Sequence, residues 1–216
     1  MKTTILIMSL MLLSFFSQAQ KHLVGAYGGL NSFNQSSSLA FNETERGISP
    51  FFGLSYQYMI KEKFSLGIDA IYETRKFYSP IILFLWNEPY DITYRLNYLS
   101  VPLKAGYNFG NKFYGFVNIG AVPSFLLSGT VTRPDLINST GVISELVQDL
   151  TPSTNRLDIS GLAELGGGLK FNSIWVYTSF AYQHGLMNIN NAEDQNSPEI
   201  TLNGVLLSLG MRYMIP

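Results

Sequence analysis

Few side chains in this sequence carry reactive chemistry, and their spacing argues against catalysis. Cysteine is absent, so neither a disulfide nor a thiolate metal site can form. Only two histidines occur, His22 and His184. Each falls at the boundary of an expected strand and reads as a polar surface residue. No Ser-His-Asp arrangement follows from their spacing. Asp69 and Glu73 lie four residues apart on one expected strand. They share a face but stand about 13 Å apart at the strand rise, too far for the paired carboxylates of a glycosidase. Gly166-Gly167-Gly168 lacks the strand-to-helix context and the Lys-Ser/Thr end of a phosphate loop. It reads as a place where a strand bends. The acids Glu43, Glu45, Asp135, Glu145, Asp149, Glu193 and Asp194 are scattered without calcium-loop spacing. The expectation is a protein that is not an enzyme and holds neither cofactor nor metal.

The remaining charges of interest share one face of their strands: Asp69, Glu73, Arg75, Lys104, Glu164, Lys170 and Arg212. Their signs are nearly balanced. If that face is internal, each charge must be paired, because an unpaired buried charge is strongly destabilising. The reading is a polar network that plugs the interior. A narrow ion or solute path, or a small-ligand pocket, is the sharper alternative. Gly67, Gly106, Gly120, Gly166 and Gly168 would leave room beside bulkier partners or relieve curvature.

The elements that position these residues are strands. In residues 97–110, Leu99, Val101, Leu103, Ala105 and Tyr107 alternate with Ser100, Pro102, Lys104 and Gly106. After the turn, Phe113, Val117, Ile119, Ala121, Phe125 and Leu127 continue the apolar face, opposite Asn118, Gly120, Ser124 and Ser128. Strands longer than about nine residues, with one apolar face and one small or polar face, are those of a membrane-spanning β-hairpin. The same pattern recurs at 23–32, 49–60, 64–78, 92–108, 113–128, 157–171, 174–184 and 200–213. Three connections are short (61–63, 109–112 and 172–173) and four are long (33–48, 79–91, 129–156 and 185–199). They alternate strictly. This predicts an all-β, eight-stranded antiparallel up-and-down transmembrane β-barrel with both termini at the short-turn end.

Local detail follows from the same reading. Within 92–108 the apolar phase shifts from Ile92, Tyr94, Leu96 and Tyr98 to Leu99, Val101 and Leu103, which predicts a β-bulge at Tyr98-Leu99. Pro102 and Pro123 each remove a ladder donor, so a bulge or break is expected near each. A short helix is expected within 136–150. Tyr56, Tyr58, Phe64, Tyr107 and Phe113 form one expected aromatic girdle, and Phe77, Tyr78, Trp86, Tyr94 and Phe125 the other. Trp86, inside an apolar loop, is expected to pack within that loop, with loop docking, lipid contact or partner binding as the functional alternatives.

Composition agrees. Charged residues are 13% of 216, aromatics 14%, and the net charge is −1. About 25% charged is usual for a soluble domain. A soluble lipocalin-like barrel would have its apolar faces inside and its charges outside, and the low charge argues against it. A nucleic-acid partner has no electrostatic support. At the N-terminus, Lys2, the apolar run ILIMSLMLLSFF and Ser17-Gln18-Ala19 predict a signal peptide, residues 1–19, ahead of a barrel domain at 20–216.

The stretches NYLSVPLKAGY and FYGFVNIGAVPSFLLSG resemble the outer-membrane β-barrel family that includes the PorT-like proteins. GGLNS, DISGLAELGGGLKF and GVLLSLGMRY resemble it too, so the likeness spans the mature chain. The resemblance implies location in the outer membrane of a Gram-negative cell, outer-membrane lipid as solvent and the barrel-assembly machinery as a partner. It brings no catalytic pattern. A subset of the family is linked to protein secretion, which makes an accessory role in secretion an alternative. The last strand departs from the usual aromatic end, since Tyr213 is followed by Met214-Ile215-Pro216. The overall expectation is a small barrel with a structural or interaction role, its long loops outward and open to an envelope protein partner.

Overall fold

Period-two alternation makes strands because successive side chains point to opposite faces. The computed structural model describes residues 21–37, 44–61, 63–83, 88–135, 144–191 and 198–215. Its strands are β1 (Lys21–Ser37), β2 (Glu45–Ile60), β3 (Phe64–Leu83), β4 (Glu88–Ser100), β5 (Leu103–Gly110), β6 (Phe113–Asp135), β7 (Ser144–Asp149), β8 (Leu157–Phe171), β9 (Ile174–Gly185) and β10 (Ile200–Ile215). All pairings are antiparallel, and β10 closes on β1 with Tyr213 opposite Val24. β4 and β5 fill one place in the wall: both pair with β3 on one side and β6 on the other. The ring therefore has eight members. β7 stands outside it and pairs with the top of β6.

The faces sort by parity. Phe113, Leu209, Ile119 and Leu54 point outward and are 65–75% exposed, which suits a wall solvated by lipid rather than water. Their neighbours Asn118, Ser55 and Ser208 are buried inside. At one end the turns are tight. Lys61 (φ 50°), Asn172 (φ 52°) and Gly110 (φ 84°) take up the left-handed backbone that reverses the chain there. At the other end the strands run on beyond the wall.

That extension corrects several expectations. Residues 79–91 read as a loop because of their prolines, yet Pro80 pairs with Asp91 and Pro89 with Ile82. Above Tyr78, β3 has no pairing to β2, so its proline sits where one edge needs no ladder bond. The 129–156 connection likewise contains the upper part of β6 and β7, so residues 144–149 form a strand instead of helix. A single 3₁₀ turn follows, Thr151–Ser153. Hydrogen bonds from Thr151 hold the Asp149 carboxyl below the usual carboxylate range; the Thr151 amide donates to Oδ1 at 2.8 Å. The signal segment, Trp86 and the first part of the expected helix lie outside the described residues.

The wall strand breaks at Val101-Pro102, as the proline predicts, while β6 runs unbroken through Pro123. The two prolines share one interruption: the Val101 amide donates to the Pro123 carbonyl at 2.8 Å. The bulge lies next to the predicted place, between Asn97 and Tyr98, but its extra residue, Leu127, belongs to β6. The side chains of β4 keep one phase. Leu96 and Tyr98 are buried inside and Leu99 is exposed outside. The apparent phase change was an apolar interior face met by an apolar exterior one. Phe77 is likewise 2% exposed and stacks on Tyr94 inside, so neither belongs to the upper girdle. Phe77 shares parity with Ile71, Glu73 and Arg75.

Candidate functional site: the filled lumen

An eight-stranded barrel is wide enough for side chains to meet across its axis. Here they do so in alternating apolar and polar layers. Leu23, Met59, Tyr114, Phe116, Trp175 and Tyr177 pack together near the short turns. Phe33, Phe51, Phe77, Leu96, Tyr98 and Leu202 belong to a larger cluster that fills the upper half. Apolar side chains thus share the plug with polar ones, where the sequence pointed to a polar network alone.

Two polar clusters are set into this packing. The upper one centres on Arg75. Its Nε and Nη2 donate to Glu73 Oε1 at 3.1 and 2.8 Å, and Nη1 donates to Asp158 Oδ2 at 2.5 Å. Nη2 also donates to Ser124 Oγ at 2.8 Å, and Ser100 Oγ donates to Glu73 Oε1 at 2.7 Å. All three charged side chains are 0% exposed. The guanidinium lies 4.7 Å from the Phe33 ring centroid and 4.4 Å from that of Tyr98. Gly204 makes this cover fit, since a Cβ there would collide with the Phe33 ring.

The lower cluster centres on Lys104. Its Nζ lies 2.6 Å from Asp69 Oδ2 and 3.3 Å from Glu164 Oε2. Tyr27 donates to Asp69 at 2.6 Å, while Asn118 Nδ2 and Ser179 Oγ each donate to Glu164 at 2.8 Å. A Cβ at Gly106 would collide with Asn118 Oδ1, so that glycine gives the amide its place. Arg212 completes the layer by stacking, 4.1 Å from the Tyr177 centroid and 5.1 Å from that of Phe116. Its Nε and Nη1 meet no acceptor among the described residues. Beside it is a cavity of about 10 Å³ lined by Ser55, Gln57, Ser65 and Asp69, of a size to admit one water. A second, of about 30 Å³, adjoins Lys104, Glu164 and Gln183.

The seven residues singled out in the sequence therefore separate. Asp69, Lys104 and Glu164 meet directly, with Arg212 in the same layer. Glu73 and Arg75 belong to the upper cluster. Lys170 lies apart at the short-turn end, its Nζ 4.0 Å from the Trp175 ring centroid. Sequence reasoning missed Asp158, the second carboxylate on Arg75. Its signal was parity, since 158 falls in step with Glu164 on β8. Neither histidine enters the lumen. His22 faces Tyr56, with Nδ1 and the phenol oxygen 2.8 Å apart, and exposed His184 lies against Tyr182. Among the described residues no group of three or more metal-ligating side chains occurs.

Comparison with known proteins agrees with this architecture. The family model described as an outer membrane protein beta-barrel domain matches residues 16–191. No curated protein matches the sequence. The outer membrane protein OprG of Pseudomonas aeruginosa has a similar crystal structure, with 12% identity, TM-score 0.54, and 91% of this chain and 96% of that one covered. Neisserial surface protein A is similar too, with 12% identity, TM-score 0.50, and 91% and 99% covered. At such identities the likeness shows the fold.

Proposed function

Because the chain belongs to the outer membrane protein beta-barrel domain family and is located in the outer membrane, we propose that it is a non-catalytic barrel that anchors an interaction surface formed by its long-loop end. The observation that carries this reading is the sealed lumen. Around the Lys104 layer the interior holds cavities of about 10 and 30 Å³, and a wider hollow of about 180 Å³ among Phe77, Tyr94 and Leu96 lies at the long-loop end, so the part free to act is at that end. β7 supports it further. This strand rises beyond the barrel and, among the described residues, pairs with β6 alone. Val147 is 62% exposed on it, with Leu146 beside it. A strand with a free edge and apolar side chains suits an envelope protein partner that adds a strand. The likeness to PorT-like proteins extends the class of partner to secretion components.

A narrow channel is the second reading, favoured by the two polar cavities around Lys104. It requires the apolar layers above and below them to part.

A photo-crosslinking side chain at position 147, in intact cells, tests the interaction role. The expected result is a discrete adduct with an envelope protein, with none from the same group at lipid-facing Leu209. Absence of any adduct from position 147 would contradict it.

A further inference from the structure

The short-turn end carries a feature that neither the fold nor the anchoring role requires. A bowl of about 340 Å³ opens there on the barrel axis, lined by Lys21, Lys61, Lys63 and Lys170 above a floor that includes Met59 and Trp175. Three separate parts of the wall bring these lysines together: the start of β1, the β2–β3 turn and the end of β8. Lys112 lies in the adjoining β5–β6 turn. The long-loop end has the opposite balance, with acids such as Glu45, Asp91, Glu145 and Asp149 prevailing. Like charges that gather in a concave, low-dielectric mouth repel one another and focus a field on an anion. Lysine is a compact point charge suited to phosphate oxygens.

We propose that this bowl is a binding site for a small, multiply charged phosphate-bearing anion that enters from the periplasm, the side that short turns face in outer-membrane barrels. The site's central position favours a soluble anion over a lipid headgroup. Headgroups stand around the outer wall, tied to their chains, whereas the bowl lies inside the ring of turns. Lys170, held against Trp175, supplies a fixed charge at the floor, and Lys61 and Lys63 flank the entrance on one turn.

The test is calorimetric titration of the purified full chain in neutral detergent with inorganic pyrophosphate. Saturable binding that weakens with added salt is expected. The double variant Lys61→Gln/Lys63→Gln should weaken it about tenfold. Lys61→Arg/Lys63→Arg should retain it, and Lys76→Gln, at the other end, should leave it unchanged. No binding, or equal binding by the double glutamine variant, would overturn the site. The titration is repeated in nanodiscs of anionic phospholipid. Retained pyrophosphate binding supports a soluble ligand. Competitive loss there assigns the bowl to headgroup phosphate and overturns the soluble source.

Discussion

The two polar clusters of the lumen hold opposite kinds of charge pairing. Around Arg75, a planar fork meets two carboxylates and a serine, and aromatic rings close over it. Around Lys104, a point charge lies between two carboxylates that Tyr27, Asn118 and Ser179 also serve, with small polar cavities adjoining. The upper cluster has one cation for two acids and is fully enclosed. The lower has Lys104 and Arg212 for Asp69 and Glu164, together with room for water. The contrast teaches that sealing and charge balance are separate properties of this plug. The upper cluster depends on the single guanidinium of Arg75, with Asp158 Oδ1 meeting no donor among the described residues, and the lower can share its load with other donors.

The largest effect is expected at the upper cluster. Arg75→Leu leaves Glu73 and Asp158 buried without their cation and should cost about 3–5 kcal/mol, read from urea unfolding in detergent or lipid. A loss under about 1 kcal/mol would mean that this cluster is as hydrated as a surface pair, and the contrast would fail. Lys104→Met should cost less, about 1–3 kcal/mol, since three neutral donors still serve its carboxylates. A loss equal to that of Arg75→Leu would erase the distinction. Gly106→Ala pushes Asn118 away from Glu164 and should cost about 1–3 kcal/mol. The same substitution at Gly67, where a Cβ meets nothing closer than the Tyr56 carbonyl at 3.5 Å, should be milder. His184→Ala, on the outer wall, should stay within about 0.5 kcal/mol.

The barrel was legible in the sequence because period two forces side-chain facing, and the short and long connections alternate. The lumen was only half legible. Asp69, Lys104 and Glu164 stood out as charges on small or polar faces. Asp158 escaped because it opens β8, where no preceding residues establish the alternation. Phe77, Leu96 and Tyr98 escaped for a different reason. Above the membrane-spanning part, the inside is apolar and the outside admits Arg95 and Asp91, so hydrophobicity no longer reports facing there. Prolines misled in the same region, because above Tyr78, among the described residues, β3 pairs with β4 alone, and a missing amide on its other edge costs little.

The central claim is that this lumen is closed by packed side chains. Conductance of the purified chain in planar lipid bilayers tests it most directly. The account predicts electrical silence at moderate voltage. A steady unitary current from the unmodified chain would show a continuous path through the Arg75 and Lys104 layers, and would contradict it.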